Sequence, residues 1–325
     1  MVSANISASE IVAIDEIGIK FVSIWCYLML ILGLIGHTLS MCVFTRSSLR
    51  SNPCSCYFLA ATVSGICVVT INIFLRLLQT VMNEFLHYQL TNFFSFGFHR
   101  ALYAWFIVLT SIDRSSSASF RALSSLRVVY RTVPLTVVLV GLAYIHVLFY
   151  YRISIQQQAC VPMTGVYQQF FGVWHLVAFS LVPPMLMLFF GLSTIRSIRQ
   201  SIRRVGQNNI QIQIPRQQLR KSIDRQMIQM MLVQCIVFIL TGSLPSINYL
   251  YTSLRSNVTI DALQSAKDNL LQRFTGFISL TVPCLSFYLF TLSSKLFRKE
   301  LIKLFRGKWQ PIHGTTTVIS QSRRH

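Results

Sequence analysis

Arg100 and Arg114 are the residues of this chain whose setting most demands an explanation. Both fall in the apolar run 90 to 114, fourteen residues apart. At 100° per residue a helix turns them to within about 40° of each other, about 21 Å apart along its axis. A guanidinium inside a membrane-length segment is costly unless it is paired or works on something, so Arg100 marks either a ligand contact or a structural pair with a polar group of another helix. Phe96, Tyr103 and Ile107 share its stripe, which makes Phe96, Arg100 and Tyr103 candidate ligand contacts. Arg76 and Arg273 stand nearer the ends of two other runs and would add positive charge at the rim of such a site. Asp113 directly precedes Arg114 at the end of the run. There an arginine reaches water with a carboxylate beside it, and simple snorkelling to the interface is the plainer reading.

Other chemistries find no residues to carry them. No His-x-x-x-His, Gly-x-Ser-x-Gly or aspartate pair lies within the apolar runs, and no zinc spacing or phosphate loop stands outside them. Nothing points to an enzyme, a metal or a cofactor. The net charge of +20 comes without an aromatic-interleaved basic repeat, so it does not speak for nucleic acid.

The elements that must position these residues are seven apolar runs, at about 21 to 44, 56 to 79, 90 to 114, 132 to 151, 168 to 195, 227 to 252 and 270 to 292. Each meets the roughly 20 residues needed to cross hydrocarbon. Only 12% of the residues are charged, against about 25% in soluble domains, and the mean hydropathy is +0.55. The expected fold is an all-α membrane protein: a seven-transmembrane helix bundle over 21–292, preceded by an extracellular tail (1–20) and followed by a cytoplasmic segment (293–325). That last segment opens with a short amphipathic eighth helix, in which Phe297, Leu301 and Leu304 recur at helical spacing among lysines and arginines.

Basic residues set the orientation. Arg46 and Arg50 follow the first run and Arg121, Arg127 and Arg131 the third; eight Lys or Arg lie between Arg196 and Arg225, and eight more between Lys295 and Arg324. The opposite connections hold only Lys20, Arg152, Arg255 and Lys267. The positive-inside rule puts the N-terminus outside and the C-terminus in the cytoplasm. The basic runs are then drawn to anionic inner-leaflet lipid. The first 20 residues include Glu10, Asp15 and Glu16 and lack the basic start of a cleaved signal, so the first run reads as an uncleaved signal anchor. Asn5 and Asn257 sit in Asn-x-Ser/Thr triplets that this topology places outside, as glycosylation candidates. Pro184, Pro245 and Pro283 are expected to kink the fifth, sixth and seventh spans. Cys160 alone among the cysteines lies in an outer loop.

The Asp113-Arg114 pair at the inner end of a third span resembles the corresponding motif of the rhodopsin-like G-protein-coupled receptors. The likeness extends to Pro184, Pro245, Gly36 in Gly-x-x-Gly-His, and Phe-Arg-Lys-Glu-Leu at 297 to 301. It covers roughly residues 20 to 306, with departures. His37 replaces the first-helix asparagine, and Val63 or Ser64 stands where the second helix has its aspartate. Gly242-Ser243-Leu244-Pro245 replaces Cys-Trp-x-Pro, Ser286 to Phe290 replaces Asn-Pro-x-x-Tyr, and Leu192 stands for a tyrosine. No cysteine near Gln89 answers Cys160. The resemblance implies a divergent plasma-membrane receptor that binds an extracellular ligand, a peptide or a small chemosensory molecule. It also implies signalling to a heterotrimeric G protein, with Asp113 and Arg114 at the coupling end. A seven-span transporter or channel is the alternative.

Overall fold

The computed structural model describes residues 2–50, 52–82, 97–115, 125–154, 159–163, 165–205, 214–255, 261–293 and 295–305. Helix α1 is Val2–Phe44. Helix α2 joins Pro53–Cys67, a π-helical turn Val68–Ile73, and Phe74–Met82. Helix α3 is His99–Ser115, and α4 comprises Leu126–Tyr144 and His146–Tyr150. Helix α5 joins Val166–His175, a second π-helical turn Leu176–Leu181, and Val182–Val205. Helix α6 is Ile214–Leu254, α7 comprises Ala262–Ile278 and Thr281–Ser293, and α8 is Lys295–Phe305. Between α4 and α5, strand β1 (Tyr151–Ser154) pairs antiparallel with β2 (Ala159–Pro162), Tyr151 opposite Pro162 and Ser154 opposite Ala159. The bundle therefore has a hairpin end and, where Phe44 packs on Phe297 of α8, a basic end.

Several starts follow from local chemistry. The Asn52 side chain accepts from the Cys54 amide at 3.1 Å, with Pro53 behind it. Ser125 accepts from Val128 at 3.4 Å and Asp261 from Ala262 at 2.8 Å. Each satisfies an orphan amide and contributes about 1 kcal/mol.

Among the described residues six helices are long and apolar enough to cross a membrane, at Ser9–Phe44, Pro53–Leu78, Leu126–Tyr150, Val166–Thr194, Leu232–Thr252 and Ala262–Ser293. The chain is a nearly all-helical multi-pass membrane protein. Helix α3 is not one of the six: over the described residues it is 17 residues long, about 26 Å, and it carries Arg100, Asp113 and Arg114. The first part of the expected third span, Phe96 included, lies outside the described residues. The polar stretch before residue 21 is helical and continuous with the first span, since α1 is one helix of 43 residues from Val2.

Large apolar side chains cover the outside. Ile24, Leu28, Ile31 and Ile35 of α1, Leu135, Val138, Leu139 and Leu142 of α4, Phe189 of α5 and Leu240 of α6 are exposed. In water such a surface would aggregate; it suits hydrocarbon. The interior centres on α3, where Ala101, Leu102, Tyr103, Ala104, Phe106, Ile107 and Val108 are all buried. Helix α3 packs against α2, α5, α4 and α6, while α7 packs against α1 and α6.

Against lipid, apolar contact alone gives helices little reason to associate, so close packing and polar pairs decide. Both are present. Trp25 Nε1 donates to the Phe277 carbonyl at 3.1 Å, and the Tyr288 hydroxyl to the Leu32 carbonyl at 3.3 Å, tying α1 to α7 twice. At the basic end the rings of Phe44, Phe58 and Phe290 meet with centroids 5.2 to 6.0 Å apart. Phe297 of α8 is buried against Phe44 and Phe290, which pins α8 to the bundle.

The three prolines act differently. Pro184 stands in the first turn after the π segment of α5. Helix α6 continues through the buried Pro245. Helix α7 breaks at Ser279 and Leu280, just before Pro283. Lacking an N–H, Pro283 leaves the Ser279 carbonyl without its helical donor.

Candidate functional site

Arg100 lies in the first turn of α3 and turns inward. Its Nη2 donates to Ser279 Oγ, and its guanidinium carbon is 5.1 Å from the Phe179 ring centre, within range of a cation–π contact. The break in α7 prepares that partner. Ser279 ends the segment Ala262–Ile278, and its hydroxyl donates to the Gly276 carbonyl at 2.7 Å, leaving its oxygen to accept from Arg100. The Nε of Arg100 is sealed from solvent and closes no hydrogen bond. Tyr144 of α4, His175 of α5, and Tyr249 and Cys284 of α6 and α7 lie within electrostatic reach of the guanidinium. Among the described residues no carboxylate is one of the groups acting on it.

Beside Arg100 a buried chain of side chains joins α5 to α6. His175 Nδ1 is 2.7 Å from Ser246 Oγ, Ser246 Oγ is 2.9 Å from Ser180 Oγ, and Ser180 Oγ donates to the Gly242 carbonyl at 2.8 Å. Ser180 belongs to the π segment of α5, and Ser246 directly follows Pro245. The chain thus connects the irregular turn of one helix to the proline of the next. Phe179 and Tyr249 flank His175 at 5.0 and 6.0 Å between ring centres.

The sequence candidates fall into separate places. Tyr103 is buried toward the basic end from Arg100, where the Gln234 amide donates to its hydroxyl and Ser286 lies in hydrogen-bonding reach; it ties α3 to α6 and α7. Arg76, near the end of α2, is half-buried and within electrostatic reach of Cys26 and Tyr249. Arg273 faces α1, with its Nη1 3.8 Å from Asp15 and packed beside Gly18. Phe96 and Asn257 lie outside the described residues, and Asn5 sits on the first turns of α1. Among the described residues no group of His, Cys, Asp or Glu side chains is arranged to hold a metal.

At the basic end Asp113 is half-buried and acts electrostatically on Cys56 and Tyr57 of α2. The Tyr57 hydroxyl is 2.7 Å from Thr132 Oγ1 of α4, so Asp113 stands where α2, α3 and α4 meet. Arg114 follows it in the last turn of α3. Deeper in the bundle, Ser64 is the buried alternative and Val63 points out, 46% exposed. His37 is fully buried. Neither of its ring nitrogens closes a well-formed hydrogen bond, although it approaches the Pro283 carbonyl.

Sequence reasoning found Arg100 and missed its surroundings. Applied to His175, the rule that singled out an intramembrane arginine would have flagged it too. Ser279 had a signal in its place four residues before Pro283. Tyr144, Ser246 and Ser180 had none, because only the packing of four helices brings them together. A scan against protein-family models finds no match to this chain, and no curated protein matches it significantly.

Proposed function

We propose that the chain is a divergent rhodopsin-like receptor of seven spans, with the apolar run 90 to 114 as the third, that binds an extracellular ligand at the hairpin end and signals to a heterotrimeric G protein at the basic end. The observation that carries the reading is the double polarity of α3. Arg100 holds a contact to α7 near one end of this central helix, and Asp113-Arg114 closes the other.

In this reading a ligand competing for Arg100 loosens the Ser279 contact at the break of α7. It also presses on the His175–Ser246–Ser180 chain beside Pro245. Helix α6 is then biased to swing at its basic end and open a groove for the partner's helix, a displacement of a kind known in switching proteins. Helix α8 lies on the inner leaflet, its basic residues against anionic lipid. The protein resides in the plasma membrane, glycosylated at Asn5 and Asn257.

Topology is tested with protease-accessible tags at residue 3 and residue 208. The expected result is cleavage of the first alone in intact cells; same-side cleavage excludes seven spans. Function is tested by screening ligands on cells that report several G-protein pathways, with parallel ion and solute flux assays. Ligand-stimulated nucleotide exchange without flux is expected. Flux without exchange would make the chain a transporter or channel.

A further inference from the structure

The groups around Arg100 restrict what the site can hold. We infer that it takes a small organic carboxylate carrying a single negative charge, gripped by Arg100 Nε and the Tyr144 hydroxyl, with its apolar body on the side of Phe179. The inference rests on the reading that places a ligand at the hairpin end.

Charge comes first. The chain has nine Asp and Glu in all, and among the described residues none is a group that acts on Arg100. An arginine so placed in a membrane protein calls for an anion, and a ligand can supply it. The donor inventory comes next. Of the guanidinium's N–H groups, one is met by Ser279, Phe179 lies by one face, and Nε is buried without an acceptor. The Tyr144 hydroxyl is also buried without a partner and lies within electrostatic reach of the guanidinium. Two orphaned donors near one positive charge match the two oxygens of a carboxylate. An ammonium would find no counter-charge there, and a carboxamide would bring N–H groups with little to accept them. One guanidinium balances one negative charge. The Phe179 ring, 5.1 Å from the guanidinium carbon, favours a flat or apolar remainder.

Tyr144 is held in place by a glycine. A Cβ on Gly97, two residues before α3, would lie 2.5 Å from one Tyr144 ring carbon and 2.8 Å from another. Any larger residue there must push the phenol aside without changing the charge of the site.

The test uses the full chain in lipid nanodiscs and needs no native ligand. Benzoate, phenylacetate and 3-phenylpropanoate are compared with their carboxamides and with benzylamine by thermal shift, in chloride and in chloride-free buffer. At least one carboxylate is expected to raise the melting temperature saturably, with affinity at least about tenfold above its carboxamide and amine. Arg100→Gln should remove that preference and Arg100→Lys retain part of it. Tyr144→Phe and Gly97→Ala should each weaken carboxylate binding several-fold. Equal affinity for carboxylate and carboxamide in the unmodified chain overturns the inference, whether or not Arg100→Gln folds, and so does the absence of any carboxylate shift at millimolar concentration. Arg100-dependent stabilisation by chloride that no carboxylate displaces would make the site one for an inorganic anion only and also overturn it. The receptor reading fails separately. Carboxylate binding without nucleotide exchange on any G protein would refute that reading and leave the site standing, whereas exchange driven by a carboxylate that binds Arg100→Gln as well as the unmodified chain would do the reverse.

Discussion

Arg114→Ala should reduce ligand-stimulated G-protein activation to background while leaving surface delivery and ligand affinity within about twofold of the unmodified chain. The expectation follows from position. Arg114 occupies the last turn of α3, about 21 Å along the axis from Arg100, too far for direct contact with anything bound there. Asp113, one residue earlier, stands at the corner of α2 and α4 beside Tyr57 and Cys56. That corner is already held by the Tyr57–Thr132 hydrogen bond of 2.7 Å, so removing the Arg114 side chain should not unseat the helix. A loss of signalling with binding intact is the signature of an interaction made with the partner alone. Nucleotide exchange is read in membranes with matched receptor density, and affinity by competition in the same membranes. Full exchange by Arg114→Ala would reduce the Asp113-Arg114 pair to a topological anchor at the membrane edge.

The sequence carried more of the fold than of the site, for a physical reason. A span announces itself through its own residues, because hydrocarbon demands a continuous apolar run whatever the neighbours are. Hence six of the expected spans correspond to membrane-length helices. The exception is α3, whose three charged residues, Arg100, Asp113 and Arg114, are the ones that drew attention to it. Helix α1 began earlier than its hydropathy implied, since Glu10, Asp15 and Glu16 are compatible with a helix that continues beyond an apolar span. There Asp15 meets Arg273 at 3.8 Å and Glu16 meets Lys20 at 2.7 Å. That pairing also turned Arg273 toward α1, which no reading of α7 by itself could foresee. The inward turn of Arg100 was legible from helical periodicity, and Tyr103 shared its stripe as expected. Their partners were not legible, because Ser279, Tyr144 and Gln234 reach them only through contacts between helices far apart in sequence.

Gly65→Ala should destabilise the unmodified protein by about 1 to 3 kcal/mol, the usual cost of overfilling a packed interior, and should stabilise the His37→Ala variant. A β-carbon on Gly65 would land on the His37 ring, 2.6 Å from its Nε2 and 3.0 Å from its Nδ1. The ring has no room to withdraw, because His37 is fully buried and approaches the Pro283 carbonyl of α7. This is the place where α1, α2 and α7 meet, and the missing side chain of Gly65 lets a histidine stand there. Without the imidazole the clash vanishes. What remains is the intrinsic preference of a helix interior for alanine over glycine, about 0.8 to 1 kcal/mol in alanine's favour. His37→Ala alone should cost stability through the cavity it leaves, so the informative quantity is the effect of Gly65→Ala in each background. Thermal melting of the four detergent-solubilised proteins supplies it. A change of sign identifies the His37 ring as the group that requires glycine at residue 65. The same loss in both backgrounds would show that the glycine serves the helix backbone and that the imidazole is not wedged against it.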